Sequence, residues 1–412
     1  MEDVESPLSD GALLRAIAPS MFLPALVYEI GQGAIMPVIA LTALADGAAP
    51  STAAFVLSLL GIGQILGDIP ASAVAARIGE RRAMMVAASV AVPALLVCFT
   101  VHSVIMLGVA LVVLGTSNAT FYLARQSSIS EKVPVRLRAR ALSTLAGSHR
   151  IGLFIGPFAG ALAISLGGIR SAYLVAVLSA AAAVLLLFVV PEVRLGDAPP
   201  PRAHSTVAPR TMLLQHRRLF FTLGLAVLAV GATRAARQTV LPLWAEHIGL
   251  SAERTSVVFG IAYAIEMVMF YPSGKVMDHF GRLSVALPAM LILGGSMLVL
   301  PLTHGEIPLA LVAVVMGFGN GIGSGIMMTL GADAAPDLNR ITFLSIWRLF
   351  SDAGNAAGPV LVSIVAGLTT LALGIVSAGA VGLLAAGALA LWAPRYSPYA
   401  TRAAMAELRR KS

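Results

Sequence analysis

Charge is scarce in this sequence: only 12% of its 412 residues are Asp, Glu, Lys or Arg, about half of the roughly 25% usual in soluble domains. With 58% hydrophobic residues the chain cannot cover a water-facing surface, which excludes an ordinary soluble globular protein. Cysteine is all but missing. The single Cys98 leaves no disulfide framework and no thiolate metal cluster, and inside its apolar run it reads as a packing residue. The opening residues carry Glu2, Asp3, Glu5 and Asp10 and lack the basic stretch of a cleaved signal peptide, so the first hydrophobic segment is expected to stay as a helix. Enzyme signatures are missing too. Gly274 and Lys275 lack the preceding Gly and following Ser or Thr of a phosphate loop. The run Gly317, Gly319, Gly321, Gly323 and Gly325 lies within an apolar segment, with no strand before it, and reads as a helix-packing surface rather than a dinucleotide loop. His102, His149 and His304 show no metal-ligand spacing. No enzyme chemistry, metal or cofactor is expected.

What the sequence has in abundance is long apolar runs. Ala83 to Val101, Ala172 to Val190 and Leu371 to Ala393 are each long enough to cross a hydrocarbon core of roughly 30 Å at about 1.5 Å per helical residue. With Pro, Gly and charge clusters as punctuation, spans are predicted near 16–41, 51–74, 83–101, 104–127, 141–166 and 171–190. Six more follow near 219–243, 252–274, 284–302, 307–331, 343–368 and 370–393. Between the two sets, Pro191 to Arg218 contains Pro199, Pro200 and Pro201 among scattered Arg and His, a composition that suits a solvated, fairly extended linker. The predicted organisation is therefore 1–190, a linker at 191–218, and 219–412 with a short tail.

The two sets repeat each other. Pro70 and Pro272, Gly79 and Gly281, Pro134 and Pro336, Arg138 and Arg340, and Gly156 and Gly358 are all 202 apart, while Pro37 and Pro242, and Glu29 and Arg234, are 205 apart. A shared register that carries Pro and Gly across several spans argues for a duplicated six-helix unit. The formal charge of +8 does not point to nucleic acid, because the basic residues sit in short segments between spans. Arg77, Arg81, Arg82, Lys132, Arg136, Arg138, Arg140, Lys275, Arg282, Arg340 and the tail arginines fall on one side, and essentially Arg170 and Arg254 on the other. By the positive-inside rule both termini are expected in the cytoplasm.

Two motifs carry a family resemblance. The turn after the eighth span reads Gly274, Asp278, His279, Phe280, Gly281, Arg282, and its copy after the second reads Arg77, Gly79, Arg81, Arg82 with Ala76 in the Asp position. Such a loop needs a tight Gly turn and charges that bond the ends of neighbouring helices. Span five carries Gly152, Gly156, Pro157 and Gly160, and span eleven repeats Gly354, Gly358 and Pro359. Small residues four apart permit close helix approach, and Pro bends the helix. Together these resemble the major facilitator superfamily, and the span-five pattern resembles its drug:proton antiporters. The early span-four Arg and Gln-Gly pair often found in those antiporters is missing, with Leu111 and Leu114 in its place. The implied fold is all-α, with twelve transmembrane helices in two pseudo-symmetric six-helix bundles. The implied activity is proton-coupled efflux of an amphiphilic, drug-like molecule by a monomer in the cell inner membrane, surrounded by lipid and driven by the proton gradient.

Ionisable residues inside spans cost several kcal/mol unless paired or hydrated, so they mark function by default. In the implied fold, spans one, four, seven and ten line a central cavity, and spans two with eleven and five with eight meet between the halves. Glu29 and Arg234 are then expected to face each other across the cavity, with Glu29 as proton carrier, permanent ion-pair partner or substrate ligand. Asp68, Glu266 and Asp352 are further proton-coupling candidates. Arg150 with Glu266, and Asp68 with Arg348 and Asp352, are expected on the cytoplasmic half as an inner gate, or else as static pairs. Cavity candidates are Tyr28, Gln32, Asn118, Tyr122, Arg125, Arg234, Arg237 and Asn320, with Phe121, Tyr263 and Trp347 beside them. Two other readings stand. Arg125, Arg234 and Arg237 suit a carrier of a small metabolite or organic anion, and a transporter-derived sensor would show no flux.

Overall fold

The computed structural model describes residues 15, 17–133, 135–191, 209–336 and 338–411. Within them the chain forms the predicted helices and no strand. Span one is Ala18–Ile35 followed by Val38–Ala45, bent by 40° at the break. Pro37 at the break has no N–H to continue the ladder, which accounts for the bend. The other five of the first half are Pro50–Ile78, Glu80–Thr100, Val104–Lys132, Val135–Gly167 and Ser171–Val189. In the second half, spans seven to nine are Leu225–His247, Ala252–Phe280 and Leu283–Val299. Span ten is Glu306–Ile322 continued by Ile326–Ala334, and the last two are Arg340–Leu368 and Leu371–Tyr396.

Spans two, four, five and eight run beyond their predicted ends because hydropathy marks only the apolar part of a helix that continues into polar surroundings. The predicted linker is corrected at its end: Pro209–Gln215 is helical, with Met212 buried. Residues 192–208 lie outside the described residues. The Gly-rich run of span ten is corrected in part. Gly317 and Gly321 lie close against span eight, but the run then interrupts the helix, with Gly325 in the left-handed region at φ +83°.

The halves repeat in space as in sequence. Span one packs on five and six, two on four, and three on four and six; their mates seven, eight and nine repeat each of these contacts. Between the halves, span two packs on eleven and span five on eight, the pairing that the resemblance implied. With lipid on one side and protein on the other there is little hydrophobic gain in helix association, so close packing of small side chains has to supply it. Span three shows the pattern: Ala83, Ala87, Ala91, Ala94 and Cys98 form a buried stripe, whereas its larger apolar residues such as Val86, at 49% exposure, face outward.

Both signature turns pivot on glycine, Gly79 at φ +84° and Gly281 at φ +95°. Where the Asp is replaced by Ala76, Arg81 donates instead to the last carbonyls of span six, from its Nε to Leu187 O at 2.7 Å. Those carbonyls have no partner within their own helix. Arg82 and Arg77 stay exposed. In the second turn Arg282 bonds Asp333 at the end of span ten at 2.9 Å and Asp278 at 3.2 Å. Ser397 donates to the same Asp333, and the backbone N–H groups of Arg282 and Leu283 donate to Tyr399 and Ala400, pinning the segment after span twelve onto the turn.

At the end remote from the termini, Val38, Ile39 and Thr42 of span one and Val240 of span seven have no exposure at all. That end is closed. Arg170, which the sequence places as a loop charge, grips both carboxylate oxygens of Asp46 at 2.5 and 2.7 Å and also the carbonyls of Cys98 and Val101, tying together spans one, three and six.

Candidate functional site

Between the halves lies a cavity of about 380 Å³, lined at mid-depth by residues of spans one, two, four, five, seven, eight, ten and eleven. On the first half, spans one and four present a ladder of polar groups. Tyr28 Oη donates to Asn118 Oδ1 at 2.6 Å, and Asn118 Nδ2 donates to Gln32 Oε1 at 3.0 Å. One turn nearer the termini, Glu29 is wholly buried and takes three neighbours: Arg125 Nη1 at 3.0 Å, Tyr122 Oη at 3.2 Å and His149 Nδ1 at 2.8 Å. Span five delivers His149 only because it lies close to span one. A Cβ on Gly152 would strike the Glu29 side chain, and one on Gly156 would come within 2.6 Å of the Ala34 nitrogen. The glycines of the span-five motif are thus spent on packing inside the first half, and Gly354 and Gly358 do the same against span seven.

On the second half the charge balance reverses. Glu266 accepts from Arg237 at 3.1 Å within its own half and from Arg150 of the other half at 3.5 Å. Arg234 donates from Nε to Asn320 Oδ1 at 2.7 Å. The expected Glu29 and Arg234 pair is therefore corrected: each has nearer partners in its own half, because Arg125 and His149 reach Glu29 first. The inner-gate placement of Arg150 with Glu266 is corrected as well. Glu266 stands 14 residues from either end of its 29-residue helix, so the pair belongs to the cavity wall at mid-depth. Asp68 and Arg348, 3.5 Å apart, and Arg348 with Asp352, 3.3 Å apart, do come together on the half nearer the termini.

Burying a guanidinium costs several kcal/mol unless its charge and its donors are matched. Aromatic faces share that load: Arg125 lies 4.9 Å from the Tyr122 ring, Arg150 4.0 Å from Phe270 and Arg237 5.3 Å from Tyr263. Charge remains unmatched all the same. Arg150, Arg234 and Arg237 line the cavity with the single carboxylate of Glu266, three guanidinium groups against one, while Arg125 is paired with Glu29 behind the wall. The remaining candidates fall into place around this. Tyr263 lines the cavity, Phe121 stacks behind Tyr28 with ring centres 4.2 Å apart, and Trp347 turns away to donate to Met327 O. His149, Gln64, Gln238 and Asn355 line the cavity too. Sequence reasoning passed over them, although a lone Gln or Asn in an apolar helix is a signal of the same kind as Asn118.

The sequence pattern of the Major Facilitator Superfamily matches residues 21–359 and 240–412. No curated protein matches the chain. Solved structures of similar fold include the inward-open xylose transporter XylE from E. coli, with a TM-score of 0.68 at 16% identity over 94% of this chain and 99% of that one. The nucleoside transporter NupG aligns with a TM-score of 0.70 at 12% identity over 92% and 97%. A POT family transporter in complex with 5-aminolevulinic acid aligns with a TM-score of 0.72 at 11% identity over 93% and 96%.

Proposed function

The chain belongs to the major facilitator superfamily of membrane transporters, and from that premise we propose that it carries a small organic anion across the cell membrane by alternating access, coupled to protons. The observation that carries this reading is the cavity's unmatched charge, three lining guanidinium groups against one carboxylate. At an effective dielectric constant of about 20, an anion about 4 Å from one such group gains about 4 kcal/mol. A second approach repays much of the anion's desolvation. Arg234 and Arg237 are the candidate ligands, with Arg150 reaching in from the opposite half. A cationic amphiphile would meet the same field as repulsion.

The drug-export reading rested on the span-five glycines. Their use in packing span five against span one accounts for them without any role in substrate choice. The solved structures of similar fold are named for transport of xylose or nucleosides, or hold 5-aminolevulinic acid, so a small polar cargo is in keeping with the fold. With both termini cytoplasmic, as the loop charges suggest, the closed end faces outward and the cavity faces inward. Asp68, Arg348 and Asp352 then stand at its cytoplasmic mouth as gate candidates, and no resident cofactor is required.

The deciding experiment is a panel of labelled organic anions and cationic dyes, offered to the purified protein in proteoliposomes. Saturable anion exchange whose apparent affinity falls in Arg234→Ala is the expected result. Flux of cationic dyes with no anion exchange overturns the reading, and no flux of any kind would favour a sensor.

A further inference from the structure

Glu29 has no exposure, yet two of its partners, His149 and Tyr122, line the cavity. The His149 side chain is 36% exposed on the cavity wall, while its Nδ1 is buried 2.8 Å from Glu29 Oε1, so the ring turns its other edge to the cavity. Tyr122 also touches both cavity and carboxylate, but a phenol with an ordinary pKa near 10 holds its proton at neutral pH, whereas an imidazole near 6.5 exchanges it. Arg125 does not release a proton at all. Of the three neighbours of Glu29, only His149 suits the work of passing protons.

We propose that His149 conducts protons between the cavity and Glu29, and that protonation of Glu29 frees Arg125 to strengthen anion binding. The step balances without any other reactant. A proton taken up at Nε2 from cavity water is matched by transfer of the Nδ1 proton to Glu29 Oε1, leaving a neutral ring and a neutral carboxyl group. The same path run backwards releases the proton once the cavity opens to the other side. At 2.8 Å the His149 Nδ1 makes no aligned hydrogen bond to Glu29, so a ring rotation precedes transfer.

The charged and titratable groups around it set the consequence. Glu29 faces it from span one, Tyr122 and Arg125 from span four and Arg150 from its own helix, with Tyr263, Glu266, Arg234 and Arg237 across the cavity. Neutralising Glu29 removes the negative charge that offsets Arg125 just behind the wall, so the site around the three lining arginines becomes more positive by one unit. Proton and anion then bind cooperatively, each raising the affinity for the other by the same factor. This coupling rests on the anion reading. The proton path does not.

Two measurements separate them. An infrared titration of the full-length protein follows carboxyl protonation with no substrate present. It should lose one component in Glu29→Gln, and that component's midpoint should move by more than about half a pH unit in His149→Gln or His149→Asn. An unchanged spectrum in Glu29→Gln, or an unmoved midpoint in both histidine variants, overturns the proton path. In proteoliposomes, the ratio of gradient-driven anion accumulation to anion exchange at equal pH should fall at least about tenfold in His149→Gln, as expected when a proton-transfer group is removed. Equal loss of both would mean that His149 is merely structural and overturns the proposal. Absence of anion exchange in the unaltered protein removes the coupling together with the anion reading, and leaves the infrared result to decide the proton path alone.

Discussion

Arg150 of the first half and Glu266 of the second meet at 3.5 Å across the domain boundary, at the depth of the cavity. The same carboxylate holds Arg237 of its own half more closely, at 3.1 Å. Glu266 is thus held from both halves, and the partner in its own half is the nearer one.

The two arginines should therefore differ on replacement. Arg237, 2% exposed, is the closer partner of a buried acid, so Arg237→Ala should cost about 3 to 5 kcal/mol of stability, as removing one member of a buried pair does. Arg150→Ala should cost less than half as much, because Arg237 remains. Thermal unfolding in detergent checks the order, and equal losses would contradict it.

Arg234 should govern affinity rather than stability. Its Nε is held by Asn320, which leaves the far end of the guanidinium for a ligand. Losing a hydrogen bond to a charged group costs about 1.5 to 3 kcal/mol, so Arg234→Ala should weaken anion binding roughly 10- to 150-fold. Arg234→Lys should fall between, keeping the charge but not the fork. Calorimetric titration with the best anion from the transport panel measures both.

Closure of the end remote from the termini should depend on Gly260. A Cβ there would lie 2.6 Å from the Phe158 ring of span five, closer than any stable contact, so Gly260→Leu should wedge spans five and eight apart. With the buried Cys98 replaced by Ala, a reporter cysteine at fully buried Val240 should label with an impermeant maleimide about tenfold faster in the wedged variant, a shift of about 1.4 kcal/mol between states. An unchanged rate would mean that the closed end is held elsewhere.

Much of this could be read in the sequence, and the reasons are physical. Apolar length gives spans, because the bilayer permits little else, and the shared register of Gly79 with Gly281 gives the duplication. Rarity made the intramembrane charges visible, since each is costly. Their partners were harder to foresee. Repeat symmetry pairs Glu29 with Arg234, but span five, crossing span one at Gly152, brings His149 to Glu29, and span four brings Arg125. The role of His149 is hidden because metal-ligand spacing, the usual signal of a functional histidine, is missing, and that of Arg170 because a loop position does not reveal that Asp46 and two carbonyls converge on it.

The second signature turn should be a stability element rather than a transport one. Arg282 is 13% and Asp333 8% exposed, so Asp333→Asn leaves a mostly buried cation short of its main partner. The expected loss is about 1.5 to 3 kcal/mol, seen as a lower unfolding temperature with anion affinity unchanged. A change in affinity without a change in stability would argue that the turn acts on the cavity.

The clamp on that turn also has a practical side. Because the backbone of Tyr399 and Ala400 completes the turn between spans eight and nine, shortening the chain before residue 401 would damage a junction far from the cut. Purification handles and fluorescent reporters should be joined beyond that stretch, and a poorly expressing truncation there would say nothing about the cargo.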